Sequence, residues 1–239
     1  MNRVTITGAD DNTPVSELIA LSAEFPYVEW GILVSRHSEG HPRFPSRKWQ
    51  ANFAAAINDK IALSMHICGG YVREILSGGL PWEQLPAETA EVARRIQLNT
   101  HAEPHVTTVG AFSWMLARGN SIQFIIQLDG VNDHILDAAI ERGINAVGLS
   151  DKSHGAGVLP EIWPDPHRRS IYHGYAGGLG PENVAAEIAK MTLATHEARV
   201  HRNLEFWIDM EGRVRDNREH LDLAKVRQVL EICRPLITK

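Results

Sequence analysis

The sequence predicts a single (β/α)8 barrel over residues 1–239, and three observations lead to that class. Short β-branched or apolar runs alternate with longer stretches of helical spacing, eight such runs can be found, and the 239 residues are close to the length of about 250 typical of such barrels. No Pro/Gly/Ser-rich linker, internal repeat or low-complexity tract divides the chain.

The strands come in order as V-T-I-T-G near Val4, Y-V-E-W-G-I-L-V-S from Tyr27, I-A-L-S-M-H-I from Ile61 and R-I-Q-L-N from Arg95. They continue as I-Q-F-I-I-Q-L-D from Ile122, N-A-V-G-L-S-D from Asn145, I-Y-H-G-Y-A-G-G from Ile171 and F-W-I-D-M from Phe206. Helical spacing predicts helices at Val15 to Glu24, Arg47 to Asn58, Glu103 to Ala117, Asn132 to Arg142, Pro181 to Arg199 and Leu221 to Cys233, with a Gly/Pro-broken region from Tyr71 to Ala93. Thr13 is the expected N-cap of the first, with Pro14 at its first position, and Ser46 caps the second. The segment P-E-I-W-P-D-P-H-R-R carries three prolines and reads as a loop. An open doubly wound sheet also alternates elements, but its first strand-to-helix turn would carry G-x-G-x-x-G; here that turn is T-G-A-D-D-N-T-P.

With 24 basic and 29 acidic residues the net charge is -5, and no block of like charges stands out. That gives no electrostatic basis for binding nucleic acid or an anionic membrane, and a small ligand is the better default. Cys68 and Cys233 have no C-x-x-C partner, which fits a reducing compartment. No apolar stretch reaches the roughly 18 residues of a membrane span, and M-N-R-V-T-I-T-G does not read as a signal peptide. A cytoplasmic protein is expected, with no cofactor; oligomeric state has no signature in the sequence.

Ligands of such barrels sit at the C-terminal ends of the strands, and those ends are polar: Thr7 with Asp10 and Asp11, Glu29 and Ser35, His66, Asn99 and His101, Gln127 and Asp129, Asp151 to His154, Gly177 and Gly178, then Asp209 and Glu211. Asp and Asn also cap turns through their own backbone, whatever the function. At the seventh strand end, Y-A-G-G-L-G-P-E-N-V sets Gly177 and Gly178 before a helix, where backbone N–H groups can converge on an anion with no Cβ in the way. A tight turn needing positive φ explains the same glycines. Trp30, Trp49, Trp114, Trp163 and Trp207 are expected to pack between helices and barrel.

Four stretches together resemble phosphoribosylanthranilate isomerase, a (β/α)8 enzyme that performs an Amadori rearrangement of a phosphosugar amine. They are G-H-P-R-F-P-S at residues 40 to 46, R-I-Q-L-N-T-H-A-E-P from Arg95, L-S-D-K-S-H-G-A-G from Leu149, and A-G-G-L-G-P-E-N-V. The resemblance implies that Asp151 is the general acid, Arg43 the anchor of an aromatic carboxylate, and Gly177 with Gly178 the phosphate turn. This chain departs from the pattern twice. The family's strand-one cysteine base is replaced by Thr7, and its Ser-Gly turn after strand eight is replaced by D-M-E-G-R-V-R, which puts Glu211 where a phosphate would be repelled. Asp10, Asp11 or His66 could supply a base; Asn99, Asp129, Asp209 and Glu211 are further candidates for contacting substrate.

Isomerisation of a small anionic metabolite, a sugar phosphate or a carboxylated compound, of the intramolecular oxidoreductase type, is therefore the expected reaction. Three alternatives stand beside it. His66, Asp129, Asp151, Asp209 or Glu29 could hold a divalent ion for an epimerase or aldolase, although no tight ligand spacing is present. Lys152 could form a Schiff base. The barrel could also bind a phosphorylated or carboxylated metabolite, or a partner protein, without catalysis, as the loss of the strand-one base suggests.

Overall fold

The computed structural model describes residues 1–57, 61–77, 82–100, 108–131, 133–151, 156–169 and 171–238. The eight strands are β1 (Arg3–Thr7), β2 (Val28–Val34), β3 (Ala62–Ile67), β4 (Arg95–Leu98), β5 (Gln123–Leu128), β6 (Ala146–Ser150), β7 (Tyr172–Ala176) and β8 (Glu205–Met210). Each pairs in parallel with its sequence neighbour, and β8 returns to β1, so the barrel closes in chain order. The sequence-derived strands all lie within this set.

Along each strand, side chains alternate between two buried environments. The outward positions are apolar and meet the helices: Val4 and Ile6, Trp30 and Ile32, Phe124 and Ile126, and Phe206 and Ile208 are all essentially fully buried. Gly148 belongs to this face, where a Cβ would come within 2.5 Å of Leu128 Cδ1. The inward positions are largely polar. Glu29 accepts from Arg3 Nη1 at 2.9 Å, Thr5 Oγ1 at 2.9 Å and Arg95 Nη1 at 2.8 Å.

Two expectations are corrected by this interior. Glu29 is not at the pocket end of the barrel but low in β2, paired with both arginines. Burial works against its charge, yet Arg95, Arg3 and the Thr5 hydroxyl hold its carboxyl below the usual value. Trp207 does not lie between helices and barrel either. It points inward, clustered with Ile125, Val147 and Leu149, with the Arg95 guanidinium 4.1 Å from its ring centroid. Its bulk requires Gly174 opposite, since a Cβ there would fall 2.3 Å from Trp207 Cζ2.

The outer layer holds α1 (Val15–Glu24), α2 (Arg47–Ala56), α3 (Gly70–Leu76), α4 (Ala87–Val92), α5 (Thr108–Leu116), α6 (Asp133–Glu141), α7 (Val184–Ala194), α8 (His196–Arg202) and α9 (Leu223–Cys233). Ser46 caps α2 as expected, accepting from Trp49 N at 3.3 Å. Thr13 does not cap α1. Pro14 occupies that position, and the Thr13 hydroxyl instead accepts from Asp10 N at 3.1 Å, closing the turn before it. The broken region resolves into α3, a 3-10 turn at Trp82–Gln84, and α4.

The helix expected from Pro181 to Arg199 begins later, at Val184, and divides at Thr195 into α7 and α8. Residues 103–107 of the helix expected from Glu103 to Ala117 lie outside the described residues. Between β6 and β7, residues 156–169 form neither helix nor strand, in keeping with their three prolines. Trp163 anchors this loop by donating to Glu187 Oε2 on α7 at 2.8 Å and packing edge-on against Tyr175, 5.5 Å between centroids. Among the described residues no helix is long and apolar enough to cross a membrane.

Candidate active site

A pocket opens at the C-terminal ends of the strands, the place where barrels of this class hold their ligands. Its floor is built from inward side chains of successive strands, Thr7, His66, Gln97, Gln127, Asp151 and Asp209, with Asn99 just past β4. Polar side chains meet here because Thr7, His66, Gln97, Gln127 and Asp209 occupy the last inward positions of their strands, while Asp151 and Asn99 follow directly after β6 and β4.

Asp209 is 6% exposed and accepts from Thr7 Oγ1 at 2.9 Å. Burial, with the charges of Glu211, Glu29 and Asp151 adding to it and the Thr7 hydrogen bond opposing, pushes its carboxyl up to about 8. Asp151, 7% exposed, accepts from Gln127 Nε2 at 2.8 Å. His66 is 1% exposed, and its Nε2 lies 2.9 Å from Ser64 Oγ. Burial, helped by Arg95 and opposed by Glu29, lowers it to about 4, so at neutral pH the ring is uncharged. Gly31 makes room for this group, because a Cβ there would sit 2.2 Å from Thr7 Oγ1 and 2.8 Å from His66 Cε1.

The amides form a chain along one wall. Gln97 Nε2 donates to Asn99 Oδ1 at 2.8 Å, and Asn99 Nδ2 donates to Cys68 Sγ at 3.0 Å. Burial pushes the Cys68 thiol up to about 12, so this cysteine is not a thiolate base at neutral pH. At the opposite wall, Gly177 has φ 116° and Gly178 φ 64°. A Cβ on Gly178 would strike Leu159 N at 2.6 Å, so the β6–β7 loop backbone passes directly against this turn. Asn183 braces it from the start of α7, its Nδ2 donating to Gly178 O at 2.8 Å and its Oδ1 accepting from Gly180 N at 2.9 Å. Arg213 borders the same wall and pairs with Glu182.

Other sequence-derived candidates lie away from this floor. Asp10 is buried and holds the loops after β1 and β2 together, accepting from Asn12 N at 2.9 Å, Arg43 N at 3.2 Å and His220 Nδ1 at 2.7 Å. Asp11, exposed, accepts from Ser46 N at 2.8 Å. Asp129 closes a turn by accepting from Val131 N at 2.8 Å. None of these three lines the pocket.

Arg43 lies behind Glu211, donating from Nε to Glu211 Oε1 at 2.5 Å, while Arg215 Nη2 approaches the same oxygen at 3.3 Å. Glu211 is thus charge-paired with Arg43 and Arg215, whereas Arg213 pairs with Glu182. His173 sits in the middle of β7, its Nε2 3.0 Å from Ser150 Oγ. His101, Lys152 and His154 lie outside the described residues.

Sequence reasoning missed Gln97 and Asn183. Gln97 was detectable as the residue two positions before Asn99, hence on the same strand face. Asn183 was not, because its role is to reach back three and five residues in a turn. Among the described residues no group of three or more His, Cys, Asp or Glu side chains is placed to hold a metal ion.

Solved structures share this arrangement of strands and helices. Phosphoribosyl anthranilate isomerase from Thermus thermophilus matches over 98% of this chain and 99% of its own, with TM-score 0.60 and 16% identity. The chain has the phosphoribosyl anthranilate isomerase fold. The enzyme of that name from Thermotoga maritima aligns over 98% of this chain and all of its own, at TM-score 0.57 and 16% identity. A phosphoribosyl anthranilate isomerase in complex with reduced 1-(O-carboxyphenylamino)-1-deoxyribulose 5-phosphate aligns at TM-score 0.57 and 17% identity, covering 98% of this chain. No protein-family model and no curated protein matches the sequence. On the phosphoribosyl anthranilate isomerase barrel, then, this chain is divergent.

Proposed function

We propose that the pocket isomerises a phosphorylated sugar or sugar derivative, with Asp151 and Asp209 as the proton-transferring pair. The observation that carries this reading is the placement of two buried carboxyls in one pocket, one of them raised to about 8 by its surroundings. Carboxyls whose environments differ can divide acid and base roles between them.

In such a reaction one group donates a proton to the ring oxygen as the C1–O bond opens, and another removes the proton from C2. Asp209, whose carboxyl holds its proton to about pH 8, is assigned the acid role and is oriented by the hydrogen bond from Thr7. Asp151, steadied by Gln127, takes the base role. Thr7 thus replaces a base with a residue that positions the acid on the adjoining strand. The Gly177–Gly178 turn supplies backbone groups for the phosphate, with Arg213, paired to Glu182, bordering it.

The test is proton exchange. In D2O the wild type should incorporate deuterium at C2 of a phosphorylated aldose or of phosphoribosylanthranilate, and Asp209→Asn or Asp151→Asn should slow it by about 10²- to 10⁴-fold. Absence of exchange by the wild type on every phosphorylated sugar offered would leave the second reading, a metabolite-binding barrel, which Thr7 in place of the cysteine favours.

A further inference from the structure

Most of the hydrogen-bond donors on the inner wall of the pocket are already engaged, whereas several acceptors are not. Gln97, Asn99 and Gln127 each direct an amide N–H₂ to a neighbour within the protein: Asn99 Oδ1, Cys68 Sγ and Asp151 Oδ2 respectively. Gln127 donates to a carboxyl oxygen, which fixes its amide and turns its own oxygen elsewhere, and Gln97 donates to Asn99 Oδ1 with its oxygen likewise turned away. Gln97 Oε1 and Gln127 Oε1 are both buried with no hydrogen-bond partner, on side chains 5% and 2% exposed. An acceptor left this way is costly unless a ligand supplies the donor.

Charge at the same wall points the same way. Asp151 and Glu211 line the pocket beside Asp209, whose carboxyl holds its proton to about pH 8. Arg43, the cation nearest Glu211, is committed to it and held at its backbone by Asp10, and Arg215 meets Glu211 from the other side. Arg213 is paired with Glu182, and the His66 ring is neutral. A carboxylate entering between these groups would meet carboxyls and amide oxygens, with no unpaired cation among the described lining residues.

We propose that the inner wall selects a head group rich in hydrogen-bond donors, hydroxyls or an ammonium, and disfavours one bearing a carboxylate. Glu211 fills with the chain's own carboxylate the place beside Arg43 that a substrate's carboxylate would otherwise take. This rests on the reading of the Gly177–Gly178 turn as the phosphate end.

Titration calorimetry at pH 7 with inorganic phosphate, ribose 5-phosphate, glucosamine 6-phosphate and 6-phosphogluconate separates the two. The two donor-rich sugar phosphates should bind at least about tenfold more tightly than 6-phosphogluconate, the scale of a mismatch at buried polar groups. Glu211→Gln, which removes one charge and releases Arg43, should narrow that ratio. Equal or tighter binding of 6-phosphogluconate by the wild type would overturn the inference while leaving the phosphate turn standing, as would binding of inorganic phosphate alone. Failure of all four compounds to bind would overturn the phosphate turn and the selectivity together.

Discussion

At Asp209 the burial that suits proton transfer also costs stability. Its carboxyl holds a proton to about pH 8 in the folded protein, against an ordinary value of 3.8, so between those limits the folded state binds a proton that the unfolded chain has released. Stability from this residue therefore falls as pH rises from about 4 to about 8. His66 acts in the opposite direction: lowered from 6.5 to about 4, it contributes stability above pH 6.5 that is lost as pH falls toward 4. Asp209→Asn keeps an acceptor for Thr7 and removes the titration. It should raise stability at pH 8 relative to wild type by on the order of a few kcal/mol, and by much less at pH 5. Urea unfolding at both values checks this; identical shifts for the two proteins would mean that Asp209 does not titrate in that window. Gly174 is the other single-residue constraint. Gly174→Ala drives a methyl into Trp207 and Leu149 Cδ1, 2.6 Å away, and should cost about 1–3 kcal/mol, read from the same unfolding curves.

Between β7 and α7 the element that matters is a turn. The helix was expected to open at Pro181, and the structure delays it to Val184 because Asn183 folds back onto Gly178 and Gly180. Periodicity cannot reveal that competition, since the side chain satisfies backbone groups locally instead of extending the helix. Asn183→Ala removes both hydrogen bonds and should cost about 1–2 kcal/mol. It should also weaken binding of inorganic phosphate, because the turn loses its brace; unchanged phosphate affinity would separate the turn's stability from its ligand role. The candidates after β1 and β5 belong to this scale as well. Asp10, Asp11 and Asp129 were visible as acids near strand ends, but an acid that closes a loop and one that faces a pocket look alike in sequence. Only the loop paths distinguish them.

Across the whole molecule, polar groups do work inside the barrel that aliphatic layers do elsewhere. Glu29 joins β1, β2 and β4 through Arg3 and Arg95, and Arg95 stacks on Trp207 from β8. Glu29→Gln leaves Arg95 buried without its counter-charge and should destabilise by about 3–5 kcal/mol, visible as a lower urea midpoint. A loss below about 1 kcal/mol would show that the network carries little of the barrel's stability. The closed eight-stranded barrel was legible in the sequence because alternation was. Apolar outward residues such as Ile32 and Ile126 interleave with inward Gly31, Glu29 and Gln127, and β-branched runs are separated by helical spacing. Asp151, Asp209, His66 and Asn99 were legible for a related reason, since barrel topology sends the residues at and just after each strand's C-terminal end to one mouth. What the sequence alone determined is therefore periodicity and the chemistry available at each strand end. Which acids share a pocket, that Arg43 answers Glu211, and that Asp209 holds its proton were decided by tertiary structure, because desolvation and charge pairing depend on neighbours distant in the chain: Thr7 and Asp209 are separated by 202 positions, and Arg43 and Glu211 by 168.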